Sequence, residues 1–256
     1  MVISMTGVNK LPYIRGIELK REEIPSFQRY PFNVPALKSL TKLSLHPRVT
    51  YIVGENGMGK STLLEAIAVA SGFNPEGGTR NFQFSTRASH SELDNYIRIV
   101  KSVWKPEDGF FLRAETFYNL ATNIEQLDEE GFGPPIIDSY GGKSLHEQSH
   151  GESFFAAFTN RFNGNGLYIL DEPEAALSPL RQLSMLARIH ELVQQESQFI
   201  IATHSPMLMA YPDAKIVQLS GNGIEEVSLE ETQHYSLMKQ FFTDRDRLMH
   251  HLLHEQ

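Results

Sequence analysis

The sequence predicts an α/β fold with a mostly parallel sheet covered on both faces. Two observations carry this. The runs Val49–Val53, Gly166–Leu170 and Gln198–Ala202 are largely apolar instead of alternating, as strands buried on both faces are. They are interleaved with helical stretches, and each is followed by a polar motif, at the carboxyl strand ends where such sheets bind ligands.

The elements follow in order. Tyr13–Lys20 alternates and reads as a strand, and Val49–Val53 is a buried one. Ser61–Ser71 is apolar on nearly every face, so it reads as a buried helix, with Gly72 placed to cap its C-terminus. Residues from Phe73 to Arg87 are rich in Gly, Asn, Ser and Thr and read as loop. Leu93, Tyr96, Ile97, Val100 and Trp104 recur at helical spacing and predict an amphipathic helix. Gly109–Ala114 reads as a short strand, Leu120, Ile124 and Leu127 mark a helix, and Asp128–Pro135 reads as loop. After the acid-ended strand at Gly166, Ser178 is placed to cap a helix with Pro179 in its first turn, running to about Gln195. Ser220-Gly221-Asn222-Gly223 between two apolar runs signals a hairpin, and Tyr235–Leu253 reads as helical.

Composition narrows the class. The 256 residues suit one large domain, and 41% hydrophobic with 21% charged residues is ordinarily globular. Cysteine is absent, which excludes disulfides, thiolate metal sites and a cysteine nucleophile and fits a reducing compartment. The N-terminus has no signal-peptide core and no run is long enough to span a bilayer, so the expectation is a soluble, cytoplasmic protein without direct membrane insertion. A net charge of −8 gives no long-range attraction to nucleic acid.

Gly54-Glu55-Asn56-Gly57-Met58-Gly59-Lys60-Ser61, followed by Thr62, fits the phosphate-binding P-loop. Glycines at 54, 57 and 59 let backbone amides approach phosphate oxygens, and the helix that follows aims its positive end at the anion. Lys60 is placed to neutralise the β- and γ-phosphates, and the Ser61 hydroxyl to ligate Mg²⁺. Asp171, at the end of a second strand, is a candidate for the Mg²⁺ shell, and Glu172 for polarising the attacking water. His204 ends a third strand, within reach of a γ-phosphate. Tyr30 and Phe32 are candidates to stack on adenine, with ordinary packing an equal alternative. His146 and His150 have the i,i+4 spacing of a zinc pair but lack a third ligand, and the three histidines of Met249–Gln256 read as a solvated helix.

Gln148-Ser149-His150-Gly151-Glu152, upstream of Asp171 and followed by a helical run, completes a set. The order P-loop, signature, strand-end acids and histidine resembles the ATP-binding-cassette (ABC) ATPase superfamily, in particular small stand-alone bacterial ATPases related to overcoming-lysogenisation-defect and DNA-repair heads. The resemblance implies a P-loop NTPase of ABC ATPase-head type, with an antiparallel β part and a helical subdomain carrying the signature. Residues 1–72 and 163–256 would form the nucleotide-binding lobe of a single domain and approximately 73–162 the helical lobe. It implies ATP and Mg²⁺ as ligands, and Ser149 and Gly151 contacting the γ-phosphate held by a second copy in an ATP-dependent homodimer. Glu115, in Arg113-Ala114-Glu115, stands where such ATPases place a metal-contacting glutamine. Ser178-Pro179 departs from the transporter-like Leu-Asp of the loop facing the partner subunit.

Two uses of an ATPase follow. One is a conformational switch in DNA repair or phage defence, acting on DNA or with a nuclease or toxin partner. The other is the ATP-hydrolysing subunit of a membrane ABC transporter, against which Ser178-Pro179 and Glu115 count. No heptad run separates the P-loop from the signature, so a long coiled-coil arm is not expected.

Overall fold

The computed structural model describes residues 12–80, 91–130, 135–143 and 150–254. Along the chain these form β1 (Ile14–Leu19), α1 (Pro35–Ser39), β2 (Lys42–Ser44), β3 (Val49–Val53), α2 (Lys60–Ala70), β4 (Ile97–Lys101), β5 (Asp108–Arg113) and α3 (Phe117–Glu130). Then follow α4 (His150–Arg161), β6 (Gly166–Asp171), α5 (Pro179–Gln194), β7 (Gln198–Ala202), α6 (Pro206–Met209), β8 (Lys215–Ser220), β9 (Gly223–Val227), α7 (Gln233–Thr243) and α8 (Arg245–His254). Among the described residues, no helix is long and apolar enough to cross a membrane.

The strands form two sheets. The larger has the order β5-β6-β7-β3-β8-β9, parallel throughout except for the β8–β9 hairpin. The smaller is antiparallel, in the order β2-β1-β4. β3, β6 and β7 are buried at every position, as their largely apolar sequences lead one to expect. One face of the larger sheet, including Tyr51, Tyr168 and Phe199, packs on α3, α4 and α5. The other face, including Ile52, Ile169 and Ile200, packs on α2 and reaches the smaller sheet through Ile14 and Ile17.

The expected helix through Leu93 and Trp104 is corrected. Glu92–Tyr96 forms a short 3₁₀ turn, and Ile97–Lys101 is strand β4, paired antiparallel with β1. The β-branched run Ile97-Arg98-Ile99-Val100 fits both periods, and a free edge of β1 decides for the strand. Trp104 stays 47% exposed outside it. The Asp128–Pro135 loop is also shortened, because α3 continues to Glu130. Asp128 carboxylate oxygens there accept from the amides of Ile136 and Ile137 at 2.6 and 2.9 Å. The C-terminal helical stretch is two helices, interrupted at Asp244, where the backbone leaves the helical region (φ −140°, ψ 53°). Ser178 does occupy the N-cap position of α5, but its hydroxyl makes no cap bond.

Two features tie off the larger sheet. At the β5 edge, Gly78 and Phe111 exchange amide–carbonyl bonds of 2.7 and 2.9 Å, and the positive φ of Gly77 and Gly78 (107° and 98°) turns the chain to reach them. At the other edge β9 carries Glu225 and Glu226 into solvent.

Gln198 joins the two sheets. Its side chain is 1% exposed; the amide nitrogen donates to Ile14 O (2.8 Å) and His46 O (2.9 Å), and the amide oxygen accepts from Ile14 N (2.9 Å). Gln198→Leu keeps the size but strands three buried backbone groups. Denaturant unfolding should show a loss of about 2–4 kcal/mol; an unchanged midpoint would remove this bridge from the stabilising contacts.

Candidate functional site

Because β5, β6, β7 and β3 are parallel neighbours, their C-terminal ends lie side by side. The register pairs Arg113 with Asp171, Asp171 with Ala202, and Ile52 with Ala202. Ala202 O accepts from Glu172 N (3.0 Å), and Ile52 O from Thr203 N (3.3 Å), so the ladder carries on into the polar loops. The predicted Lys60, Asp171, Glu172 and His204 therefore meet at one sheet end.

The loop from Gly54 to Gly59 is shaped by glycine. Gly54, Gly57 and Gly59 have φ of 146°, 80° and 90°. A Cβ at Gly54 would lie 2.3 Å from Leu219 O, whereas one at Gly57 would meet nothing within 4 Å. The first glycine thus seats the loop on β8, and the second keeps its crest open. Glu55, Asn56 and Gly57 are exposed, while Met58 packs partly into the core beneath. Gly59 is the N-cap of α2 and no side chain caps it, so the first amides of α2 point to the crest. Lys60 is 4% exposed and its Nζ donates to Glu55 O at 3.2 Å. Burial lowers its pKa, opposed by the charges of Glu172, Asp171 and Glu174.

Ser61 Oγ donates to Asp171 Oδ1 at 3.1 Å, joining α2 to the end of β6. Asp171 is 6% exposed, and burial raises its carboxyl to about 6 against the pull of Arg113 and of the Ser61 bond. A hydroxyl and a carboxylate in contact, with the carboxylate short of positive charge, are hard oxygen donors that fit Mg²⁺. Glu115 is placed differently. Its side chain is 83% exposed on the turn after β5, 3.9 Å from Arg113 Nη2, and it reaches Asp171 only through its field.

Glu172 adopts a left-handed backbone (φ 50°, ψ 51°), unusual for a residue with a Cβ and worth about 1–3 kcal/mol of strain. The reversal turns the chain out of β6. His204 Nε2 lies 3.4 Å from Glu172 Oε1, without an aligned hydrogen bond.

Three supporting residues were not foreseen. Arg113 fills the gap between α2 and β6: its Nη1 donates to Glu65 Oε2 (2.6 Å) and Pro75 O (3.2 Å), and its Nε lies 3.5 Å from Asp171 Oδ2. Glu174 holds the β7 loop, accepting from Thr203 Oγ1 (2.8 Å) and His204 N (2.5 Å). His234, in the first turn of α7, meets His204 Nδ1 at 2.9 Å. Glu174 could have been suspected from its place two residues after Glu172; nothing in the sequence singles out His234.

Among the adenine candidates, Phe32 is corrected. It is 1% exposed and packs edge-on against Tyr96 and Phe27, with ring centroids 5.1 and 6.4 Å away, so it has no free face. Tyr30 is 60% exposed and its hydroxyl lies 2.9 Å from Thr62 Oγ1, beside the loop. Ser149 and His146 lie outside the described residues. Gly151, in the first turn of α4, is described: a Cβ there would lie 2.5 Å from Ala176 O, so glycine lets α4 approach the loop after Glu172.

Asp171 gives a pH test in the metal-free protein. A carboxyl raised from 3.8 to about 6 favours the folded state below the lower value, and that contribution is lost as pH rises through about 6. Asp171→Asn removes the penalty. Its melting temperature without nucleotide should exceed that of the parent by several degrees at pH 7.5, and the gap should begin to narrow as pH falls below about 6 and close only below the ordinary carboxyl value of 3.8. Equal melting temperatures at pH 7.5 would show that Asp171 carries no such penalty.

The AAA domain family matches residues 27–138, which span α1, the glycine loop and all of α3. The putative ABC transporter ATP-binding protein TTE0246 of Caldanaerobacter subterraneus subsp. tengcongensis is 26% identical over 78% of this chain and 89% of its own. The ABC transporter G family member STR2 of Medicago truncatula is 24% identical over 79% of this chain, which spans only 30% of that relative. Among solved structures, the SMC head domain from Thermotoga maritima aligns with a TM-score of 0.42 at 16% identity, over 84% of this chain and 98% of that one. The mixed sheet flanked by helices, the glycine loop before α2 and the strand-end acids make this a P-loop NTPase fold of the ABC ATPase-head type.

Proposed function

We propose that the chain binds Mg-ATP at the joined ends of β3, β6 and β7 and hydrolyses it between two copies of itself. An ABC-type P-loop ATPase fold implies ATP hydrolysis. The observation that supports this reading best is the Ser61–Asp171 contact at the foot of the glycine loop, with Glu172 and His204 beside it.

Each residue then has a physical task. The loop amides and the uncapped start of α2 hold phosphate oxygens. Lys60 exchanges the Glu55 carbonyl for phosphate, bringing a charge that is now mostly buried. Ser61 and Asp171 would hold Mg²⁺, which supplies charge neutralisation on the phosphates. Glu172 accepts a proton from the attacking water, and His204 donates toward the γ-phosphate. Ser149, and Gly151 at the start of α4, would complete the site of the opposite copy. Glu115, with its exposed carboxylate, is proposed only as an outer contact to the metal's water shell.

The relatives bear on the use of this energy. Two are named for ABC transport, which favours an ATP-hydrolysing subunit serving a separate membrane partner. The second reading is a switch in DNA repair or phage defence, with DNA, a nuclease or a toxin as partner. Ser178-Pro179 at the start of α5 and the exposed Glu115 favour it, since both depart from the transporter pattern.

Glu172→Gln keeps the shape of the site but cannot take the proton. With Mg-ATP it should elute as a dimer and turn over ATP at least about 100-fold more slowly than the parent; a monomeric elution would count against the sandwich. Captured from native host extract in that state, an integral membrane protein as partner supports the transport reading. Nucleic acid or a soluble nuclease supports the second.

A further inference from the structure

His204 does not stand alone. Its Nδ1 lies 2.9 Å from His234 Nε2, with ring centroids 4.9 Å apart and planes at 66°. Its other nitrogen, Nε2, is buried and faces the Glu172 carboxylate at 3.4 Å. His234 arrives from a different part of the fold. It is the second residue of α7, and that first turn is fixed by Thr232, which is fully buried, accepts from Tyr235 N and donates to Leu229 O.

One N–H must lie between the two imidazoles, and its owner decides what His204 can do. If His204 donates, its Nε2 is left bare, facing a carboxylate acceptor to acceptor. If His234 donates, the ring proton of His204 sits on Nε2, on the side of Glu172 and the phosphate site. The second arrangement meets the His234 contact and sets a donor, not a second acceptor, opposite the carboxylate. Burial lowers the pKa of His234, as do the positive form of His204 and Lys60, opposed by Glu55, so His234 is the less readily charged ring of the pair.

We infer that His234 is a positioning residue: it donates its Nε2–H to His204 Nδ1 and thereby fixes His204 as the Nε2–H tautomer that faces Glu172 and the γ-phosphate. The catalytic consequence rests on the hydrolysis reading above, while the tautomer itself does not. The proposal places the start of α7 in control of a strand-end histidine. Most of the rest of α7 lies in solvent, with Leu237, Met238 and Phe242 at least 45% exposed, so its hold on the body is concentrated in the turn that carries His234.

The test has two arms on the full chain. In the nucleotide-free protein, long-range ¹H–¹⁵N NMR of the imidazoles, with His204 assigned through His204→Asn, should show His204 protonated on Nε2. His234→Ala should turn this into a tautomer mixture. In steady-state ATPase assays His234→Ala should lower kcat roughly tenfold, with KM for ATP changed by less than about twofold. His234→Gln, whose amide N–H can occupy the Nε2 position, should recover most of that loss. Both variants should melt near the parent, which separates the effect from folding. His204 protonated on Nδ1 in the parent overturns the assignment, as does equal activity of the Ala and Gln variants. A parent that does not hydrolyse ATP defeats the hydrolysis reading instead, and the NMR arm still decides the role of His234.

Discussion

Parallel pairing of β5, β6, β7 and β3, in that spatial order, is the constraint from which the site follows. The glycine loop and the acids are separated by more of the chain than any local rule can bridge. They meet because each follows a strand of one parallel ladder whose strands end level. A strand slipped by one residue would turn its side chains to the opposite faces, exchanging Asp171 for Leu170 at the edge of the site. Specific buried bonds hold the register, among them those of the Gln198 side chain to the backbone of Ile14 and His46.

The electrostatics at that edge are unbalanced in a directional way. Lys60 is held by a backbone carbonyl, and Asp171 is buried with Arg113 shared between it and Glu65. Glu172 and Glu174 add further carboxylates within range of Lys60. Four carboxylates, of Glu65, Asp171, Glu172 and Glu174, thus share two cations, Lys60 and Arg113.

Most of the architecture is legible in the sequence because it rests on local patterns. Continuous apolar strands, a glycine-spaced loop, Gly72 after α2 and Pro179 opening α5 each announce themselves within a few residues. β4 does not, since Ile97, Val100 and Trp104 satisfy a helical period while the run between them satisfies a strand, and only the distant β1 settles the matter. The same division holds at the site. Lys60, Ser61, Asp171, Glu172 and His204 are visible as strand-end motifs. The residues that hold them are not, because Arg113, Glu65 and His234 act through contacts spanning tens of residues and carry no spacing rule. Phe32 shows the opposite error: an aromatic near the loop is plausible on sequence, and only its edge contacts to Phe27 and Tyr96 reveal a core residue.

The closed edges of the larger sheet have a consequence beyond the site. An open edge strand is a template on which another chain can add hydrogen bonds, and fibrils grow by repeating that step. Here the two-bond bridge from Gly78 occupies part of the β5 edge, and the charged side chains of Glu225 and Glu226 stand along β9. Strand-by-strand polymerisation on the larger sheet therefore meets a guarded border on each side.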